Sequence, residues 1–79
     1  MKTKVFQGLL IIDGKQLEAC ICATSRHRVS MLTGLSVSYL ADYWTITGNK
    51  EQIEAARMEP DTVLVRKLNS QGPYKAITI

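Results

Sequence analysis

The residues with chemistry to offer are few and badly placed to share it. His27 is the lone histidine and stands between Arg26 and Arg28. Set between two cations at the start of a helix, it reads as part of a solvated basic turn. Cys20 and Cys22 sit two apart in a strand-like stretch, which puts both side chains on one face. Their Cβ atoms would lie about 6–7 Å apart, whereas a disulfide needs about 3.8 Å. They read as reduced, half-buried small residues. Together with His27 they offer too few ligands for a metal, at no zinc-type spacing. The carboxylates form no partner pattern, and each glycine falls in a strand, a turn or a helix end rather than a phosphate-cradling loop. The chain is therefore expected to be no enzyme and to need no cofactor.

Composition bounds what is left. A chain of 79 residues is expected to form one small domain, and one this size hides only about 60% of its unfolded surface. Its 46% apolar and 22% charged content is that of a globular domain rather than a disordered segment. The longest apolar run, Leu9 to Ile12, is far too short for a membrane span, and no signal-type stretch follows the basic start. A soluble, cytoplasmic protein with no membrane partner is the expectation. Charge is laid out in blocks. Lys2, Lys4, Lys15, Arg26 and Arg28 face only Asp13 and Glu18 in residues 1–30, a net +3. Residues 31–61 carry a net −3, and residues 62–79 hold Arg66, Lys67 and Lys75 with no acid. The ends are basic and the middle is acidic.

Val5 to Ile12 is rich in strand formers, Asp13-Gly14 is a favoured two-residue type I′ turn, and Lys15 to Ala23 returns. This register pairs Ile12 with Lys15, Leu10 with Leu17, Gly8 with Ala19 and Phe6 with Ile21, placing Phe6, Leu10, Leu17, Ala19 and Ile21 on one core face. The opposite face carries Val5, Leu9, Ile11, Cys20 and Cys22, which is unusually apolar for a surface left in water. Either another element or a partner must cover it.

The middle reads as three helices. Thr24 or Ser25 caps the first, which ends at Gly34. Ser36 caps the second, with Val37, Leu40, Ala41 and Trp44 at helical spacing and Gly48 at its end. Asn49 opens the third, with Gln52 placed for a capping box and Pro60 forbidding continuation. Lys50–Glu54 and Glu54–Arg57 are the expected ion pairs on its outer side. Thr62 to Leu68 and Tyr74 to Ile79 are strands around a turn at Asn69 to Pro73. The fold expected is α+β in the order ββ-ααα-ββ: two β-hairpins forming one antiparallel sheet, with a short helical block on one face. Free sheet edges and the apolar second face make a homodimer one way of covering both.

The segment from Arg28 to Trp44 resembles a helix-turn-helix, with Ser30, Gly34, Leu35, Ser36 and Leu40 at its small, turn and anchor positions. The resemblance covers 17 of the 79 residues and implies a DNA-binding transcriptional regulator. In that reading Arg26, His27, Arg28, Ser38 and Tyr39 would touch the nucleic acid. DNA-reading helices normally offer Arg, Lys, Asn or Gln, whereas no Lys or Arg occurs between Arg28 and Lys50, and Asp42 would be repelled by phosphate. Over most of its length the chain is also similar to small uncharacterised proteins carried by phages, plasmids and their bacterial hosts. That similarity runs through Ile12 to Lys15, Gly34 to Val37 and Thr47 to Asn49, with Ile53, Ala56, Pro60 and Val63 at matching spacings. It implies an accessory protein of a mobile genetic element, of a size used to inhibit or retune host machinery, including defence.

Tyrosine and tryptophan dominate binding hot spots. Tyr39, Tyr43 and Trp44, with Asp42 beside them, are thus the candidate protein-binding residues, although Trp44 and one tyrosine suit the core of a small domain equally well; a host protein or nucleoprotein complex is the expected partner, with DNA the alternative.

Overall fold

The structure is a computed structural model and describes residues 2–78. Strands β1 (Lys4–Ile12) and β2 (Lys15–Ala23) form the hairpin, and helices α1 (Arg26–Thr33) and α2 (Val37–Tyr43) follow. The two-residue strand β3 (Thr45–Ile46), helix α3 (Lys50–Met58) and strands β4 (Val63–Lys67) and β5 (Lys75–Ile77) complete the chain. All strand pairs are antiparallel, in the order β3-β1-β2-β4-β5. The expected α+β fold, with its hairpins in a single antiparallel sheet, is what the chain adopts. Ile79, expected in the last strand, lies outside the described residues.

The hairpin keeps the register set by its turn, from Ile12 opposite Lys15 to Phe6 opposite Ile21. Asp13 and Gly14 have φ of 52° and 76°, the left-handed pair that a type I′ turn demands. Phe6, Leu10, Ala19 and Ile21 therefore share one face, joined there by Val63 and Val65 and covered by Val29 of α1, Leu40 of α2 and Trp44. Ser25 and Ser36 cap their helices by accepting from the backbone N–H groups of Arg28 and Tyr39.

Three expectations are corrected. The helices do not share one face: α3 lies on the opposite side, where Ala56 and Ile53 cover Val5, Cys20, Cys22 and Leu64. That second face was apolar enough to need cover, and the narrow apolar stripe of α3 supplies it over Val5, Cys20, Cys22 and Leu64 but not over Leu9 and Ile11. Second, α2 stops at Tyr43 rather than at Gly48, because Trp44 turns extended and Thr45 and Ile46 pair with Gln7 and Phe6. The β-branched run from Thr45 to Thr47 prefers a pleated neighbour to a helix. This short strand carries the chain round the β1 edge from one face to the other. Third, the lysine and arginine of α3 make no ion pair with Glu54; among the described residues the bridges are Arg28–Asp61, Arg66–Glu18 and Arg66–Glu51. Solvated side chains one turn apart gain too little to be held together.

Candidate functional site

Helix α2 buries Leu40 and turns Val37, Tyr39, Asp42 and Tyr43 outward. Tyr39 and Tyr43, one turn apart, stack with ring centroids 4.7 Å apart and a tilt of 36°. They remain 41% and 68% exposed, so the stack is presented to solvent rather than spent on the core. Trp44 belongs elsewhere. It is 1% exposed and packs over Gly8 in the α1–α2 core, which removes it from the candidate interface. The three aromatics that the sequence groups together thus divide into two surface residues and one core residue.

Beside α2 runs the outer edge of β1. The two-residue turn makes Ile12, Leu10, Gly8 and Phe6 exchange hydrogen bonds with β2, so the backbone groups of Val5, Gln7, Leu9 and Ile11 point the other way. Strand β3 and the residue after it take up only the first two of these; the Thr47 N–H donates to the Val5 carbonyl at 2.9 Å, and pairing ends at Gln7. Leu9 and Ile11 keep an open edge, with side chains 46% and 69% exposed. A groove of about 360 Å³ lies there, lined by Leu9 to Ile12, Gln16, Thr33, Leu35 and Tyr39, none of them charged. Sequence reasoning marked Leu9 and Ile11 only as part of an apolar face. The signal that would have singled them out is their distance from the short β3, which no sequence pattern announced.

The nucleic-acid candidates are dispersed and partly occupied. The Arg26 guanidinium lies 5.6 Å from the Phe6 ring centroid, and its buried Nε has no partner among the described residues. Arg28 Nε donates to Asp61 Oδ1 at 3.3 Å across a half-exposed contact. His27 is exposed at the start of α1, and Ser38 is exposed on α2 with Tyr39. Two of the three basic groups are therefore turned inward or sideways, where phosphate contact would first have to break an internal one.

The densest polar cluster is on the α3 side. Arg66 Nε donates to Glu18 Oε2 at 2.8 Å, Nη1 donates to Glu51, and the guanidinium sits 4.5 Å from the centroid of Tyr74. The hydrogen bond to Glu18 is the main reason that the Arg66 pKa is raised. Tyr74 Oη accepts from Gln52 Nε2 at 2.9 Å, and Gln52 Oε1 accepts from Thr47 Oγ1 at 2.6 Å. Gln52 thereby fastens α3 to the strands instead of closing a capping box, although Asn49 does cap the helix by accepting from its N–H. Burial pushes the Tyr74 hydroxyl up, and it pushes the Cys20 thiol up from 9.0 to about 11 against the opposing pull of Arg66. Cys20 and Cys22 are free and buried under α3. The cluster is satisfied from within and joins α3, β2, β4 and the β4–β5 loop; it offers no open position to a substrate.

No group of three or more His, Cys, Asp or Glu side chains among the described residues is placed to hold a metal ion. Nor is any described helix long and apolar enough to cross a membrane. Comparison of the chain with protein-family models, curated proteins and solved structures finds no match in any of the three.

Proposed function

We propose that this chain is a non-catalytic protein-binding module, an accessory of a mobile genetic element that acts by occupying a host protein or nucleoprotein complex. The observation that carries this reading is the exposed Tyr39–Tyr43 stack beside the uncovered Leu9 and Ile11. Rigid aromatics at the surface next to uncharged apolar ground are what an interface core requires. The mobile-element context rests on the resemblance of the sequence to small phage and plasmid proteins. Inward-facing Arg26 and Asp61-bound Arg28 weigh against the helix-turn-helix reading, since phosphate contact supplies most non-specific affinity for DNA.

The test is affinity capture from a bacterial host lysate with wild-type protein and with Tyr43→Ala, which touches neither the groove nor the core. Loss of a specific captured protein, with the thermal midpoint unchanged, is the expected result. Capture that is indifferent to the substitution would sink the proposal.

A further inference from the structure

We infer that the open edge of β1 binds an extended, apolar segment of a partner protein as an added β-strand, in line with β3. This rests on the protein-binding reading and specifies what kind of segment is bound.

Three observations select a strand. The N–H and C=O groups of Leu9 and Ile11 point away from β2 and meet no strand, because β3 ends opposite Gln7. An incoming chain would therefore continue the row that β3 begins and find donors and acceptors at the two-residue repeat of a β-ladder. Alternate side chains of that chain would then meet different ground. On one face they would lie over Leu9 and Ile11, and on the other they would enter the groove beneath Leu35 and Tyr39. Natural sheets usually blunt such an edge with lysine, proline or a bulge, and Gly8 to Ile12 has none of these.

Charge defines the segment further. The groove lining is uncharged, while Asp13 and Lys15 are both exposed at the hairpin tip beside it. Across α2 and its approach, from Val29 to Asn49, there is no lysine or arginine. A neutral, apolar segment is complementary to this uncharged lining.

The same geometry argues against a second copy as occupant. Helix α2 leads directly into β3, the row outside β1, and its Tyr39 lines the groove beside that edge. Two copies pairing their β1 edges about a two-fold axis would bring both α2 helices to the same face. Paired strands are about 4.8 Å apart, but packed helices need about 8–10 Å. Helices brought that close would compete for the same space, whereas a bare segment brings no helix with it.

The experiment is selection from a random peptide library on the full chain, followed by binding measurements on wild type and Ile11→Pro. Proline removes the outward N–H of Ile11 and leaves the β2 ladder intact, a position where edge strands tolerate it. A thermal scan and circular dichroism confirm the fold of the variant, and Leu9→Pro provides a second version of the same change. The expected outcome is enrichment of peptides that alternate apolar residues and carry few charges, bound about tenfold or more weakly by the proline variants. Chemical-shift changes on binding should centre on the amides of Leu9 and Ile11. Peptides of helical periodicity, peptides bound equally by folded proline variants, or no enrichment at all would each overturn the inference. So would a dimer in sedimentation that is abolished by Ile11→Pro. Lysate capture that needs Tyr43 but ignores both prolines would refute strand addition alone; edge-binding peptides without any Tyr43-dependent capture would refute the wider reading alone.

Discussion

Gly8 lies so close beneath the Trp44 indole that a Cβ added there would be 2.4 Å from the ring. No side chain survives at that distance, so the glycine is what lets the tryptophan lie flat on the sheet. We expect Gly8→Ala to displace the ring and to cost about 2–3 kcal/mol, the range for overpacking a tight core. Trp44 is the sole tryptophan. Its fluorescence should therefore report both a red-shifted native emission and an earlier denaturation midpoint. An unchanged midpoint would mean that the indole is loosely held.

Arg66 should behave as a clamp whose shape matters as much as its charge. Its contact with Glu18 is largely shielded from solvent, whereas Glu51 is well exposed. A double-mutant cycle should therefore find appreciable coupling between Arg66 and Glu18 and little between Arg66 and Glu51. Arg66→Ala is expected to cost about 2 kcal/mol, and Arg66→Lys should recover little of it, because an ammonium can neither fork nor stack on Tyr74. Full recovery by lysine would reduce the cluster to a simple charge effect.

Stability should fall above about pH 9 for an identifiable reason. Folding keeps the Cys20 thiol neutral up to about pH 11, while the unfolded chain loses that proton from about pH 9. The native state then binds more protons than the unfolded state, so stability is intact below pH 9 and declines as pH rises towards 11. The loss is of order 2 kcal/mol across the window, with Tyr74 adding in the same direction at its upper end. Urea denaturation at stepped pH should show this fall, and Cys20→Ala should flatten it. An equally steep fall in the alanine variant would remove Cys20 from the account.

DNA offers a direct contrast. Fluorescence anisotropy with duplex DNA, at about 50 and 200 mM salt, is expected to show only weak binding that is indifferent to sequence and lost at the higher salt. Arg28→Ala should change it little, because that side chain already rests on Asp61. Tight, sequence-preferring binding that needs Arg26 and Arg28 would restore the helix-turn-helix reading in place of the one proposed.

Local chemistry announced much of this architecture. Asp13-Gly14 fixed the hairpin and its register, and Ser25, Ser36 and Asn49 stand where helices begin. What stayed illegible depends on residues far apart in the chain. Trp44 fits helical spacing with Leu40, yet its ring is drawn down onto Gly8, thirty-six positions earlier, and the helix ends there. The side on which α3 packs is likewise decided by the two-residue β3, a strand too short to leave a pattern. The candidate site was half visible for the same reason. Tyr39 and Tyr43 declare themselves on a helix, whereas the vacancy beside Leu9 and Ile11 follows from where β3 stops.

Both faces of the first hairpin are apolar, with one packed on α1 and α2 and the other partly on α3. In most sheets a slip of one residue would expose the core to water, and that penalty enforces the alignment. Here a slipped hairpin would still present grease to either side. Alignment is therefore guarded by two small points, the Asp13-Gly14 bend and the Gly8 notch beneath Trp44. Divergent descendants of this chain should exchange one aliphatic residue for another along the strands with little consequence, and should be far more conservative at those two glycines.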